Sequence, residues 1–347
     1  MTLVRFGRIF APLALALAAA APAHAEESLS PETFKAAFDE VIGTENRAPR
    51  DFTPAYSSAF ERTVANLADG SRGRIGVAAI DLATGREIGV LGDQRFPMAS
   101  TSKIAIAAAY LEKVDQGRLS LSSEFPLMVP VASRAFSSKV APVKAGQYMS
   151  GRQLIELALI RSSNTATDAL LAAVGGPAVV NDWARRAGLT DFNLSRDIAT
   201  LVRDDGEYDP AVHIDVRDSS TPRDMVQLLT GLHQGKWLSQ QSRQFLIATM
   251  EQCRTGTRRI PALLPSDVIV AHKTGSLNNT SSDVGILRAP DGRAIALAIY
   301  VTGQGSRANR EAKIASIARA IYDGYAQSYA QDRARIWANA NDNDVGG

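Results

Sequence analysis

The stretch DVIVAHKTGSLNNTSSDVGILRAPDGRAIALAIYV, residues 267–301, decides the fold. It holds three β-rich runs: DVIVAHKTG, DVGILRA and AIALAIYV. The last two are joined by Pro-Asp-Gly-Arg at 290–293, a turn signal. Strands joined by short turns pair antiparallel. Upstream, RIGVAAIDL at 74–82 and EIGVLG at 87–92 are joined by ATGR and read as a hairpin. Between the two groups the pattern is helical. Ile104, Ala107, Leu111 and Val114 recur at helical spacing until Gly117. Ser150 and Gln153 open SGRQLIELALI as a capping box. That helix runs into RSSNTATDALL with a break at the polar cluster. PAVVNDWARRAG and SQQSRQFLIATMEQC are helical too, and Thr221 with Pro222 marks another helix start. A helix ending at Gly70 precedes the strands, and a last one at about 306–325 follows them.

This order predicts an α+β fold. The first two and last three strands share one five-stranded antiparallel sheet flanked by helices, and the middle forms an all-helical lobe at about 100–225. A cleft between sheet and lobe is the expected place for a site.

The ends bound the compartment. Arg5 and Arg8 precede an apolar run from Ile9 to about Ala21, and Ala-His-Ala follows at 23–25. That layout predicts a signal peptide, 1–25, cleaved after Ala25, with the protein periplasmic or secreted. The run is short for a membrane anchor. Removing those 25 of 347 residues leaves 322; the segment carries two arginines and no acid, so the net charge of +2 becomes zero. A neutral chain offers no electrostatic hold on nucleic acid. Residues 26–54 read as an N-terminal extension packing on the domain, with a helical piece around 31–42. The catalytic domain spans 55–325, and 326–347 reads as a frayed tail. Cys253 is the only cysteine, so no internal disulfide can form, and it reads as a small packed thiol near a helix end.

Three short motifs carry the chemistry. Ser100 and Lys103, in RFPMASTSKI, lie three apart at a helix start and so share a face. A buried lysine loses its proton readily and can serve as base for a serine nucleophile. Ser162-Ser163-Asn164 follows a helix, and Lys273-Thr274-Gly275 ends a strand. Singly, each is ordinary; S-x-x-K arises by chance, and Lys-Thr-Gly suits any strand end.

Together, in this order, they resemble the active-site-serine β-lactamases of class A and the penicillin-binding serine hydrolases. The resemblance runs from about residue 55 to 325 and includes RFPMASTSK, TPRDM and RTGTRRIPALLPSDVIVAHKTGS. It implies roles. Ser100 is the nucleophile acylated by the lactam carbonyl, and Lys103 takes or relays its proton. Ser162, helped by Lys273, passes a proton to the departing nitrogen. Asn164 holds the acyl side-chain amide and Lys103. Backbone N–H groups of Ser100 and Ser276 form the oxyanion hole. Lys273, Thr274, Gly275, Ser276 and Arg259 bind the substrate side that carries the carboxylate; Arg258 or Arg259 could equally be a solvated charge.

The sequence departs from the family in three places. Ser163 stands where Asp is usual. His272 precedes the lysine, either hydrogen-bonding within its strand or tuning Lys273. The loop SRDIATLVRDDGEYDPAVHIDVRDSSTP, 195–222, lacks the family's Glu-x-x-x-Asn and is longer than usual. Counting back from Asp218 puts Arg203 at the loop's opening arginine, predicting an Arg203–Asp218 ion pair. Asp205 then falls at the deacylation base, with Glu207 as the alternative. A solvated acidic turn is the competing reading.

The expected activity is β-lactam hydrolysis through an acyl-enzyme. The alternatives are a penicillin-binding D,D-peptidase acting on peptidoglycan, and a non-catalytic penicillin sensor or scaffold. The expected partner is a small β-lactam, with no nucleic acid and no membrane span after signal cleavage; the chain is expected as a monomer. No cofactor is implied, and the four histidines lack metal-ligand spacing.

Overall fold

The computed structural model describes residues 58–344 and a short strand at 44–46, with side chains from 58 to 331. The signal peptide, its cleavage point and the helix expected around 31–42 lie outside the described residues. In chain order the elements begin with β1 (Thr44–Asn46), α1 (Ala59–Leu67), β2 (Ile75–Asp81), β3 (Glu87–Val90) and β4 (Phe96–Pro97). A 3-10 turn, Ala99–Ser102, leads into α2 (Lys103–Asp115). Then come β5 (Glu124–Pro130), β6 (Val143–Ser150), α3 (Gly151–Ile160), α4 (Asn164–Val174), α5 (Pro177–Arg186) and α6 (Ile198–Arg203). The chain continues through β7 (His213–Asp215), β8 (Ser219–Ser220), α7 (Pro222–Gln234) and α8 (Gln240–Glu251). It closes with β9 (Ile269–Leu277), β10 (Thr280–Arg288), β11 (Ala294–Thr302) and α9 (Arg307–Asp344).

The five-stranded sheet has the order β3-β2-β11-β10-β9, antiparallel throughout. The last three strands join the first two through β11, as the opening stretch predicts. Alternation along β11 builds two cores. Ala296, Ala298 and Tyr300 face the helical side with α2, α3, α4 and α7. Ile295, Leu297, Ile299 and Val301 face α1 and α9. The small residues on the first face let α7 pack closely on β11 and β2.

Helix α2 is buried from Lys103 to Leu111. A helix apolar all round belongs inside a molecule, so KIAIAAAYL threads the centre of the lobe. The capping box at Ser150 and Gln153 forms as read, as do the Thr221 cap and Pro222 at the first turn.

Three features differ from the sequence reading. The lobe is not all-helical: β5 and β6 form an antiparallel hairpin with an irregular register between Pro126 and Met128. Its prolines and lack of alternation hide it as strand. The last helix does not end near 325 but continues to Asp344, so residues read as a frayed tail are helical. And β1, within the N-terminal extension, pairs antiparallel with β7 in the loop before α7. Among the described residues no helix is long and apolar enough to cross a membrane.

Candidate active site

The turn that carries Ser100 is fixed from both sides. Ala99 has φ of 49°, in a region that residues with a Cβ rarely adopt. Hydroxyls hold the turn there: Thr101 Oγ1 donates to Met98 O at 2.7 Å, and Ser102 Oγ donates to Ala99 O at 2.9 Å. Thr101 Oγ1 also meets the Tyr300 hydroxyl at 3.1 Å, tying the turn to β11. From the other side β9 approaches so closely that only glycine fits. A Cβ on Gly275 would lie 2.4 Å from Ser282 Oγ and 2.8 Å from Met98 O. Ser100 remains half-exposed between them, while Lys103 behind it is buried.

Lys103 and Lys273 converge on one hydroxyl. Lys103 Nζ donates to Ser162 O and to Asn164 Oδ1, both at 2.7 Å, and lies 3.3 Å from Ser162 Oγ. Lys273 Nζ donates to Ser162 Oγ at 2.9 Å and to Thr274 O at 2.8 Å. Ser162 holds this position with φ of 58°, in the break between α3 and α4 that the polar cluster predicts. Burial depresses both ammonium groups. Lys103 falls well below the usual lysine range, first by desolvation and then by the charge of Lys273, with Asp168 opposing. Lys273 falls to about 8, again mainly by desolvation. A serine hydroxyl thus lies between two buried lysines whose charged forms burial disfavours.

Arg259 and Arg258 separate cleanly. Arg258 is 82 % exposed; Arg259 is 1 % exposed behind β9. Arg259 donates to Gly275 O and Ser282 O at 2.8 Å each and to Ser276 Oγ at 2.7 Å, and pairs with Glu311 at 3.2 Å. All its donors point at protein acceptors, so in this arrangement its contact with the cleft runs through Ser276 Oγ. Thr274 Oγ1 is bound to Thr255 Oγ1 at 2.6 Å.

The loop corrects the sequence reading. Asp218 does not pair with Arg203. Its Oδ2 accepts from Arg196 Nε at 2.6 Å, and its Oδ1 accepts from the N–H groups of Ser195 and Arg196. Arg203 instead pairs with its neighbour Asp204 and donates to Ser138 O and Oγ. The cause is α6, a helix inside the loop, which carries Arg203 toward the β5–β6 connection. The loop therefore opens at Arg196. Asp205 Oδ2 accepts from the Asn278 N–H at 2.8 Å, and burial raises its carboxyl above the usual range. Glu207 pairs with Arg217 at 2.7 Å. Among the described residues neither acid hydrogen-bonds Ser100, Lys103, Ser162 or Lys273.

One residue escaped the sequence reading. Asp168 lies one helical turn beyond Asn164 in α4 and is 5 % exposed. Its two oxygens accept from the N–H groups of Ile198 and Ala199 at 2.7 and 2.9 Å, holding the start of α6. Burial raises its carboxyl to about 6, against the pull of those N–H groups and of Lys103. The signal was an acid four residues after Asn164 on the same face.

The model of the beta-lactamase enzyme family matches residues 59–325. The beta-lactamase CTX-M-8 of Citrobacter amalonaticus is 33% identical over 78% of this chain and 92% of its own length. The beta-lactamase OXY-2 of Klebsiella oxytoca is 32% identical over 78% of this chain and 91% of its own. Among solved structures, the class A beta-lactamase of the last common ancestor of Gram-negative bacteria superposes with a TM-score of 0.67 at 35% identity, covering 77% of this chain and all of that one (100%). A beta-lactamase from Chitinophaga pinensis superposes with the same TM-score, 0.67, at 29% identity over 77% of this chain. The chain belongs to the beta-lactamase enzyme family, in its class A.

Proposed function

We propose that the protein hydrolyses β-lactams through an acyl-enzyme on Ser100. The observation that carries this reading is the Ser162 hydroxyl shared by Lys103 and Lys273, both depressed by burial. Lys103 in its neutral form takes the Ser100 proton, and Oγ attacks the lactam carbonyl carbon. The Ser100 and Ser276 N–H groups hold the oxyanion. As the C–N bond breaks, Ser162 gives its proton to the leaving nitrogen and is resupplied from a lysine. Lys273, Thr274 and Ser276 hold the substrate carboxylate, Gly275 lets β9 lie close to Ser100, and Asn164 binds the acyl amide. Arg259 supports the carboxylate site through Ser276.

Water then opens the ester; Asp205 is the candidate base and Glu207 the alternative by their place in the loop alone, since the Arg203–Asp218 frame that pointed to Asp205 does not form. Because neither acid is bonded to the lysine cluster, deacylation is the slow half of the cycle. That same observation favours the second reading, a penicillin-binding D,D-peptidase that acylates and turns over very slowly. The protein acts as a monomer in the periplasm after cleavage at Ala25; N-terminal sequencing and sedimentation of the mature protein test this. Incubation with a chromogenic cephalosporin followed by intact mass tests the chemistry. Turnover supports the lactamase, a stable adduct the peptidase, and neither outcome leaves only a scaffold.

A further inference from the structure

Beneath the loop from Arg196 to Asp218 lies a cavity of about 60 Å³, walled by Pro97, Leu201, Tyr208, His213, Leu277 and Thr280. That is room for at least two water-sized groups. Two of these residues carry buried polar atoms with no partner within the protein. Thr280 is 1 % exposed, and its Oγ1 meets no hydrogen-bonding group. On β10 it shares a face with Ser282 and Val284, and Val284 belongs to the core on the helical side. The hydroxyl therefore points under the loop and away from α9. His213 Nε2 is likewise buried and unpartnered. The ring is held in place: it stacks on Tyr208 at 4.2 Å with the planes 13° apart, and its backbone is paired in β7 against β1. A buried polar group without a partner is costly, so two on one cavity point to a ligand that contacts both.

The charges around the cavity set the sign of that ligand. Arg196 is held by Asp218 at 2.6 Å, and Arg217 by Asp215 and Glu207 at 2.7 Å each. Asp204 has Arg203. Asp205 also lines the cavity, and among the described residues it has no cation; it accepts from the Asn278 N–H. The cavity thus offers an uncompensated carboxylate, a hydroxyl oxygen and an imidazole nitrogen. A primary ammonium brings one positive charge and three N–H donors, one for each acceptor. Among the described residues no three acids, histidines or cysteines are disposed to hold a metal ion, so hydrogen bonds rather than coordination define the ligand class.

We propose that this cavity binds a small primary ammonium, the ammonium ion or methylammonium, held by Asp205, Thr280 Oγ1 and His213 Nε2. Asp205 neutralises the charge. The hydroxyl and the neutral imidazole take the remaining donors, with the ring proton on Nδ1. The occupant joins β10 to both arms of the loop, Asp205 on one and His213 on the other, so binding stabilises the loop against the sheet. No catalytic step enters, and the site stands or falls apart from whether Asp205 serves as a base.

The test melts the full mature protein in methylammonium chloride at about pH 8, where an aliphatic amine is charged. A ligand of two non-hydrogen atoms binds at best with a Kd of about 10 mM. At about 100 mM it should raise the melting temperature by about 2 to 4 °C. Tetramethylammonium has the same charge and no N–H donor; at equal ionic strength it should give no rise, and neither should potassium chloride. Carbon-labelled methylammonium should show nuclear Overhauser contacts to the Thr280 methyl and the His213 ring. Thr280→Val should remove both the rise and the contacts. Should that variant not fold, His213→Phe, which keeps the stack on Tyr208, reads the same site. An equal rise with tetramethylammonium or potassium overturns the site. So does a rise that survives in a folded variant, or a crystal grown with methylammonium whose cavity holds water only.

Discussion

The two walls of the cleft use charge in opposite ways. On one wall Ser100, Lys103, Ser162 and Lys273 stand on or beside regular elements, and the two lysines are held by short bonds to Ser162 and its neighbours. On the other, the acids in and beneath the loop from Arg196 to Asp218 are spent on backbone N–H groups and on arginines. Asp168 holds the N–H groups of Ile198 and Ala199, Asp218 those of Ser195 and Arg196, and Asp205 that of Asn278. The lysine wall is poised to move protons; the loop wall is poised to hold its shape. A carboxylate in a loop is thus not evidence of a base until its acceptor positions have been counted.

The comparison can be broken first at the nucleophile. Ser100→Ala should lower acylation by ~10⁴-fold or more and leave no penicillin adduct in the intact mass. An adduct on that variant would move the nucleophile off this wall.

Next comes the shared hydroxyl. Lys273→Ala and Ser162→Ala should each cost ~10² to 10⁴ in acylation rate. Groups acting as a unit are non-additive, so the double variant should lose little more than the worse single one. Stopped-flow acylation rates that multiply in full would show that the two do not share a proton path.

The loop wall should respond more weakly, and only in the second half of the cycle. Asp205→Asn should slow deacylation by about 10²-fold, while Glu207→Gln, already committed to Arg217, should change it little. Burst kinetics with a penicillin separate the steps. If Glu207→Gln traps the acyl-enzyme and Asp205→Asn does not, Glu207 is the base. If neither does, the loop carries no base and the peptidase reading gains.

The smallest effect is a titration. Lys273 is an ammonium below about pH 8 and loses its charge above it. With the carboxylate partner gone, kcat/KM for a penicillin should fall as pH rises through about 8, by up to about tenfold per unit. The contribution of Lys273 to stability has the other sign. Between about 8 and the ordinary lysine value the unfolded chain binds a proton that the folded chain lacks, so this contribution rises with pH. A kcat/KM flat from pH 7 to about 10 would remove Lys273 from carboxylate binding.

What could be read in advance follows the same division. Ser100 with Lys103, the Ser150–Gln153 box and the Thr221–Pro222 start are local patterns whose geometry is set by one element. The sheet was legible because β9, β10 and β11 are apolar runs separated by turns. The loop was not, because α6 inserts a helix between Arg196 and Asp218, and counting back from Asp218 lands on the wrong arginine. The β5–β6 hairpin was hidden by Pro126 and Pro130. His272 and Asp283 lie on different strands and meet only when β9 and β10 pair.

The strand at Thr44–Asn46 lies ahead of residue 59, where the family match begins, yet it pairs with His213–Asp215 inside the loop. The unit that folds is therefore longer than the unit that similarity marks. A protein trimmed to the boundary of its family would bare the edge of β7, leaving unpaired N–H and C=O groups open to another chain. What is lost by such trimming is the strand that pairs with the loop before α7, so residues 44–46 belong with that loop as much as with the extension.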